Sequence, residues 1–265
     1  KKKKDPLQAV LKIVLNSTYG VLKDKNNDLY DPLMSNKVCV YGQILLLDLI
    51  EHIEPYAQLI QSNTDGILIK MPDGQDEEEW FNLIDDIAWE WEQRTGLTLE
   101  FDEYRKVFQK DVNNYIIVAP DGHIKSKGAY VKKLSNLDYG DFPIVNHALV
   151  EYMVKNVPVE RFIHNCDELK EFQMVTKITS KYSTILHGDE PIKEKCIRVF
   201  ASTRETDAGV KKVSIRTGKP EKIASSPEHC FMFNENMTDV RCPAYLDKDW
   251  YVELAKKRLK DFGVM

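Results

Sequence analysis

Apolar side chains recur every three to four positions in the first part of the chain, which is the spacing of amphipathic helices. The first such stretch predicts a helix that begins at Asp5-Pro6 and ends near Gly20. Its predicted inward face consists of Leu7, Leu11, Val14, Leu15 and Thr18. Two further helices are predicted, one from about Asn36 to Glu54 and an acidic one from about Asp76 to Thr95.

Two apolar runs on either side of Asn63-Thr64-Asp65-Gly66 predict a β-hairpin, in which Gly66 is able to take a positive φ. The hairpin presents one carboxylate, Asp65, at its tip. A second hairpin is predicted around Pro120-Asp121-Gly122, and Leu97 to Phe101 alternates like a strand. From about Phe142 the pattern is mostly helical, clearest at Ile144 to Lys155 and Trp250 to Phe262, with a strand at Cys196 to Ala201.

Charge is unevenly distributed, although the net value of −5 argues against a protein that binds nucleic acid. From Asp73 to Glu103 there are twelve acidic residues and one basic residue, a balance of −11. The remainder is therefore −5 − (−11) = +6, and its basic clusters permit contact with a phosphate backbone. Those clusters are also compatible with ordinary solvated surfaces.

Five scattered cysteines without a CxxC pair predict a reducing compartment and no disulfide framework. His229, Cys230 and Cys242 have poor spacing for a zinc site, so ordinary packing is the favoured interpretation. No segment approaches the roughly 18 apolar residues of a membrane span. We therefore expect no membrane partner.

The first predicted helix also carries a polar face, because Lys12, Asn16 and Tyr19 lie four and then three positions apart. A cation, an amide and a flat ring on one face can bind a polyanion that also carries a ring or a sugar. Surface helices acquire such residues by chance, so the pattern alone leaves both interpretations open.

These residues belong to a longer motif. Lys12-Ile13-Val14-Leu15-Asn16-Ser17-Thr18-Tyr19-Gly20 resembles the KxxxNSxYG motif of family B (polymerase alpha-like) DNA polymerases, and Asn63-Thr64-Asp65 falls where that family carries DTD. Leu99-Glu100-Phe101-Asp102 followed by Asn114-Tyr115 resembles the family's LEFE…KxY segment. Lys125-Ser126-Lys127-Gly128 resembles the lysine-glycine segment beyond it. The overall character is similar to a phage or prophage polymerase.

The resemblance implies the C-terminal part of such an enzyme, with an α+β fold. It implies the end of the fingers in residues 1–29, part of the palm (an antiparallel sheet with helices) in 30–110, and a mainly helical thumb in 111–265. A palm sheet cut before one of its strands leaves an exposed edge, which favours oligomerisation or poor solubility.

The site residues follow from the same resemblance. Asp65 is expected to be catalytic and to bind Mg²⁺ in a two-metal site, with Asp102 as a further metal neighbour; the family's other catalytic aspartate is missing from this chain. Lys12, Asn16 and Tyr19 are expected to bind the incoming dNTP. Tyr115, Lys125 and Lys127 are expected to bind primer–template DNA.

The sequence departs from the family pattern at several positions. Asn63 replaces the first Asp of DTD, which predicts weaker metal affinity, and Gly66 stands where Ser is common. Asn113 occupies the Lys position of KxY, while Lys110 is near but out of register. Asp102 replaces a Glu, and a solvated acid at a strand end is the favoured interpretation, with the metal role as the alternative.

The expected function is therefore template-directed addition of dNTPs to a primer 3′-OH, with the isolated chain inactive. The expected partners are primer–template DNA, dNTP and the N-terminal half of the polymerase, with its exonuclease, first catalytic Asp and fingers. The expected location is the cytoplasm of a bacterium or phage-infected host. One alternative is a non-enzymatic DNA-binding subunit or scaffold with a degenerate site. The other is an unrelated α+β protein whose Asn63–Gly66 hairpin is structural.

Overall fold

The computed structural model describes residues 6–128, 130–131 and 140–264. It is an α+β structure in which every strand pairing is antiparallel, which confirms the predicted fold class. The chain divides into two compact units, unit 1 within Lys1–Phe101 and unit 2 within Asp102–Met265. The names fingers, palm and thumb, with their predicted boundaries, remain predictions.

Within residues 6–101, unit 1 contains three helices and one hairpin. Its elements are α1 (Pro6–Val21), α2 (Pro32–Ile53), β1 (Gln58–Ser62), β2 (Ile67–Lys70) and α3 (Glu77–Thr95). All three predicted helices and the hairpin are present. Helix α3 begins where the Asp76 carboxylate accepts the backbone N–H groups of Glu78 and Glu79, each at 3.0 Å, and ends at Gly96 with φ of 70°.

The core of unit 1 is small. It comprises Leu49, Ile53, Ala57, Ile84 and Trp91, with partly buried side chains from α2, α3 and the β1–β2 hairpin packed around it. Between α2 and α3, the indole of Trp91 donates to the Leu45 carbonyl at 3.0 Å, and Arg94 pairs with Asp48 at 3.0 Å. Among the side chains that the structure describes, none from α1 belongs to this cluster.

The predicted inward face of α1 is exposed, contrary to expectation. Leu7 is 61% exposed, Leu11 52%, Val14 55% and Leu15 72%. Apolar periodicity identifies a face that packs, but it does not say that the packing partner lies in the same chain. Within the described residues, unit 1 does not supply that partner.

Helix α2 raises a separate point, because its 22 residues are long and apolar enough to cross a membrane. Polar residues such as Asn36, Lys37 and Asp48 interrupt its apolar positions, so the expectation of no membrane span stays a prediction. Length and composition do not distinguish a membrane span from a helix that packs in a protein core. The C-terminal part of α2 does pack in a core, through Leu49 and Ile53.

In residues 102–128, 130–131 and 140–264, unit 2 combines four short helical segments with three sheets. Its helical segments are α4 (Pro143–Lys155), α5 (Val159–Asn165), a 3₁₀ helix (Leu169–Phe172) and α6 (Lys248–Asp261). Its strands are β3 (Lys106–Asp111), β4 (Asn114–Val118), β5 (Ile124–Lys127), β6 (Met174–Lys177), β7 (Tyr182–His187), β8 (Glu190–Ile192), β9 (Cys196–Ala201), β10 (Val210–Ser214), β11 (Pro220–Lys222) and β12 (Cys230–Met232). The sheet orders are β3-β4-β5, β12-β9-β6 and β11-β10-β7-β8.

A large core holds unit 2 together. The fully buried rings of Phe142, Phe172 and Tyr251 pack edge to face with centroids 5.1–5.3 Å apart. The Tyr251 hydroxyl donates to the Phe172 carbonyl and accepts the Ala201 N–H, both at 2.9 Å. Helix α6 is thereby fixed against the 3₁₀ helix and β9.

Two strand predictions differ from the structure. Leu97 to Phe101 forms no strand, because the Leu99 N–H donates to the Glu92 side chain of α3 at 2.5 Å instead of to a neighbouring strand. In the region after Phe142 the predicted helices and β9 are present, but six further strands lie between α5 and α6. These strands are short, so helical character dominates only at the two ends of the region.

Candidate functional site

The β1–β2 hairpin places Asp65 at its tip, as predicted. Residues 63–66 connect the strands, and Ser62 pairs with Ile67 at the last position of the ladder. The Asp65 side chain is exposed and makes no hydrogen bond or ion pair with the described residues. Its carboxylate is therefore available to a ligand.

The turn explains what Asn63 does. Its side-chain oxygen accepts the Asp65 N–H at 3.0 Å, and its own N–H donates to the Gly66 carbonyl at 2.9 Å. This is an Asx turn, and an aspartate would accept the same bond. Gly66 does not take a positive φ here, because a four-residue connection does not require one.

The metal site is incomplete in the part of the chain that the structure describes. Mg²⁺ prefers oxygen ligands, and the Asp65 carboxylate supplies oxygen atoms of this type. However, no group of three or more His, Cys, Asp or Glu among the described residues could hold a metal ion. Asp65 alone supplies one carboxylate.

Asp102 lies in unit 2, whereas Asp65 lies in unit 1, so the structure does not bring the two together in one compact unit. The Asp102 carboxylate accepts a hydrogen bond from the Tyr104 hydroxyl at 3.0 Å. Burial raises the pKa of Tyr104, and the bond to Asp102 raises it further. The metal role of Asp102 remains a prediction.

The polar face of α1 forms as predicted. Lys12 and Asn16 are exposed, and their side chains make no hydrogen bond with the described residues. Tyr19 is half-buried, and its hydroxyl lies 2.8 Å from the Cys39 sulfur of α2. The neighbouring hydroxyls of Ser17 and Thr18 instead bond to backbone carbonyls of their own helix.

Lys23 belongs to the same surface and was missed from the sequence. Its ammonium lies 5.0 Å from the centroid of the Tyr19 ring. Hydrogen bonding with the Tyr19 side chain raises the pKa of Lys23, and the attraction between the two groups adds to this. Helical periodicity could not have indicated this contact, because α1 ends at Val21 and Lys23 lies in the turn that follows.

The three predicted DNA-binding residues lie on one face of the β3-β4-β5 sheet. Tyr115 pairs directly with Lys127, and Ile117 pairs with Lys125, so alternation puts all three side chains on the same side. The Lys127 ammonium lies 5.9 Å from the Tyr115 ring centroid. Lys125 and Lys127 are both exposed.

Gly128 fixes the geometry of this face. It has φ of 91°, and a Cβ there would lie 2.1 Å from the Asn113 carbonyl and 2.9 Å from the Asn114 Cα. The backbone of the lysine-glycine segment therefore packs directly on the β3–β4 turn. Only glycine permits this approach.

The turn also accounts for Asn113. It lies between β3 and β4, where its N–H donates to Asp111 at 2.9 Å. That bond, followed by bonds from Asn114, lowers the pKa of Asp111. Lys110 points elsewhere, with its ammonium 4.5 Å from the Tyr130 ring centroid and 3.9 Å from Asp261. Neither residue 113 nor residue 110 therefore places a lysine on the face that bears Tyr115, where the KxY motif would have one.

His229 and Cys230, two of the three residues considered for zinc, make hydrogen bonds to backbone carbonyls. His229 bonds to the Asp207 carbonyl at 2.8 Å, and the Cys230 thiol donates to the Ala208 carbonyl at 3.3 Å. Burial raises the pKa of Cys230 to about 12 and that of Cys242 to about 11, which favours neutral thiols. The five cysteines are free thiols in the structure.

Comparisons with known proteins place these features in context. No protein-family model matches the chain. It is 25% identical over 250 residues to DNA polymerase 1 of Sulfurisphaera ohwakuensis, and 28% identical over 249 residues to DNA polymerase 1 of Sulfolobus acidocaldarius. Each alignment covers 84% of this chain and 28% of the relative. The chain thus spans little more than a quarter of those relatives.

The fold has a counterpart among solved structures. The family B DNA polymerase from the hyperthermophilic archaeon Pyrobaculum calidifontis matches 98% of this chain and 34% of its own, with a TM-score of 0.56 and 16% identity. At that identity the likeness concerns the fold alone. These relatives are archaeal and lend no support to a phage or prophage type. The chain is similar in sequence to archaeal DNA polymerases 1, and it has the fold of the C-terminal part of a family B DNA polymerase.

Proposed function

We propose that this chain is the C-terminal catalytic part of a DNA-directed DNA polymerase that adds dNTPs to a primer 3′-OH. The observation that carries the proposal is the exposed Asp65 carboxylate at the hairpin tip, in a chain whose motif residues on α1 also form one face. The similarity to proteins named DNA polymerase 1 supports it.

In the reaction, the primer 3′-OH attacks the α-phosphate of the dNTP in line, and pyrophosphate leaves. Lys12 neutralises triphosphate charge, Asn16 orients the nucleotide, and Tyr19 packs near the nascent base pair. Asp65 would hold Mg²⁺ together with an aspartate from outside this chain. Bound Mg²⁺ supplies a lowered pKa for the attacking hydroxyl and charge stabilisation at the leaving oxygen.

The exposed faces of α1 and α2 support a partner that covers them. Leu15 on α1, and Leu33 and Tyr41 on α2, are 72%, 64% and 62% exposed. Large exposed apolar surfaces mark interaction sites. We propose that the upstream part of the polymerase, which would also bring the second aspartate, occupies this surface, and that the chain alone is inactive.

DNA binding by Tyr115, Lys125 and Lys127 can be tested on the chain itself. Fluorescence anisotropy on primer–template DNA is expected to show affinity that falls with salt, because lysine–phosphate contacts release counterions. Changing both Lys125 and Lys127 to Ala should reduce the slope of log affinity against log salt by about 1.8, at ~0.9 per contact. An unchanged slope would contradict the assignment.

Lys106→Ala is the matched control for this experiment. Lys106 is also exposed in the same sheet, but it pairs with Val118 and so lies on the opposite face. Its removal should leave the slope unchanged. If Lys106→Ala reduced the salt slope as much per lysine, the lysines would act through the overall positive charge of the sheet and not through specific phosphate contacts.

Catalysis requires the missing carboxylate. Adding a polypeptide that supplies the upstream part of the polymerase should restore primer extension, and Asp65→Ala should abolish it while DNA binding persists. Extension by the Asp65→Ala mixture would show that Asp65 is not a metal ligand.

A second candidate function is a DNA-binding subunit without catalysis. Asn63 favours it, because the family's carboxylate at that position is replaced by an amide that serves the turn. This function predicts DNA binding without any metal dependence, even when the upstream part is present.

A further inference from the structure

A cleft in unit 2 lies outside the residues discussed above. It has a volume of about 510 Å³ and lies between α6 and the segment that follows β11. Trp250, Leu254 and Lys257 of α6 line one side, and Lys222, Ile223 and Glu228 line the other. The volume is within the ~300–1,000 Å³ range of small-ligand sites.

Trp250 gives the cleft a rigid aromatic wall. Its ring packs edge to face against Phe142 with a centroid distance of 5.2 Å, and against Tyr251 at 5.0 Å. Both partners are fully buried, whereas Trp250 is only half-buried. An indole held in this way loses little conformational entropy when a second ring stacks on it.

The charges at the rim are mainly positive. Lys222 and Lys257 are exposed and make no ion pair with the described residues, and Glu228 is the one carboxylate among the lining side chains. Lys256, the neighbour of Lys257 on α6, is instead neutralised by Glu160 at 3.0 Å and Glu253 at 3.2 Å. The unneutralised lysine is therefore the one that faces the cleft.

The positive surface continues from the cleft along the β10–β11 hairpin. Lys211 pairs directly opposite Lys222, an arrangement of like charges that destabilises a sheet. Lys211 is only weakly compensated, by Asp189 at 3.8 Å. Beyond it, Arg216 and Lys219 are exposed at the hairpin turn. A bound polyanion would relieve this repulsion.

We propose that the cleft holds an unpaired nucleotide of a single-stranded nucleic acid, with its base against Trp250 and the flanking phosphates at Lys222 and Lys257. A paired base has no face available to the indole, so a duplex fits less well. A row of cations along the hairpin suits the repeated phosphates of a strand better than a free nucleotide. This inference rests on the proposed function for nucleic acid as the ligand.

The test measures binding of the whole chain to a fluorescein-labelled oligothymidylate of about twelve nucleotides, which is within the range of known single-strand sites. The double change Lys222→Ala and Lys257→Ala should weaken binding about tenfold or more at low salt and reduce the salt slope by about 1.4. Lys256→Ala should leave both values unchanged. Equal losses for single-stranded and blunt duplex DNA, or no loss, would overturn the proposal.

Tryptophan fluorescence gives a second readout. Trp250 is the one tryptophan of unit 2, the others being Trp80, Trp89 and Trp91. Oligothymidylate should quench the fluorescence of the unchanged chain, and Trp250→Phe should remove that quenching. Quenching that persists in Trp250→Phe would overturn the stacking role.

Two further measurements distinguish failure of the cleft proposal from failure of the proposed DNA binding by Lys125 and Lys127. If dTTP alone bound as tightly, with the same dependence on Lys222 and Lys257, the cleft would be a mononucleotide site and the strand assignment wrong. If the double change of Lys125 and Lys127 to Ala left duplex binding intact, the assignment of these two lysines to DNA binding would be wrong. The cleft would still be judged on oligothymidylate alone.

Discussion

The two units differ in how completely they bury their own apolar side chains. Among the described residues, 23 of the 25 large hydrophobic residues that are exposed lie in unit 1. Unit 2 has a core of 29 buried residues, whereas the core of unit 1 has five. Unit 1 contains the Lys12–Gly20 and Asn63–Asp65 motifs, so the unit that carries these two motifs is also the one that leaves most apolar side chains exposed.

The difference has a physical cause. Burial of apolar area stabilises a fold by roughly 25 cal/mol per Å², and exposed faces contribute nothing until they are covered. Unit 2 gains this stabilisation within its own chain. Unit 1 gains only part of it, which is what the proposed incompleteness of the chain would require.

Matched leucine truncations would break or sharpen this comparison. Leu149 of α4 is 0% exposed and Leu15 of α1 is 72% exposed. Leu149→Ala should lower the free energy of unfolding by about 2–5 kcal/mol through lost burial and a cavity. Leu15→Ala should change it by less than about 0.5 kcal/mol. Chemical denaturation measures both, and similar losses would mean that α1 is buried within this chain.

Matched glycine substitutions test the face that bears Tyr115. Gly128 and Gly122 both have positive φ, 91° and 81°, but a Cβ at Gly122 meets nothing within 4 Å. Gly122→Ala should lose about 1–2 kcal/mol of stability from backbone strain alone. Gly128→Ala should lose more and should also weaken DNA binding, because β5 must move away from the β3–β4 turn. Equal losses in thermal unfolding and unchanged DNA affinity would show that the close approach is unimportant.

The change Asn63→Asp tests the metal site proposed in unit 1. In the unchanged chain the Asn63 side chain accepts a hydrogen bond within the hairpin turn. The aspartate keeps the Asx bond to the Asp65 N–H and adds a carboxylate close to Asp65. A carboxylate ~4 Å from a divalent cation in water contributes about 2 kcal/mol, twice the value for a pair of unit charges, so Mn²⁺ affinity should rise roughly thirtyfold. Titration followed by Mn²⁺ electron paramagnetic resonance measures this, with Asn63→Ala as the control that removes the turn bond. No gain would place the site away from this hairpin.

What the sequence predicted well was local. The boundaries of α1 and α3, the C-terminal end of α2 and the two hairpins follow from caps, turn residues and periodicity, which act over a few positions. The start of α2 was missed, because the helix begins at Pro32 after the Asp31 cap, four residues before the predicted Asn36. The common face of Tyr115, Lys125 and Lys127 follows once the hairpin is paired in register, and that pairing is set by Pro120-Asp121-Gly122.

What the sequence could not supply depends on distant partners. The exposed face of α1 has the same periodicity that a buried face would have. Six of the seven strands after Phe172 were missed, because they are three to six residues long and are held by pairings distant in sequence. The Trp250 cleft brings together segments that flank β12 and has no motif of its own.

The smallest expected effect concerns a pH-dependent contact within unit 2. The Glu171 carboxylate lies 3.1 Å from His147 Nδ1, and this hydrogen bond lowers the pKa of Glu171 against the opposing effect of burial. A lowered folded-state pKa stabilises the fold above the unfolded value, and this contribution is lost as pH falls through the folded value. Unfolding free energies measured between pH 6 and pH 3 should therefore fall more for the unchanged chain than for Glu171→Gln, which keeps an acceptor but does not titrate. Parallel curves would show that the bond is not maintained in solution. A steeper fall of the unfolding free energy for Glu171→Gln would contradict the direction of the pKa shift. It would also mean that the contact between Glu171 and His147 does not stabilise unit 2.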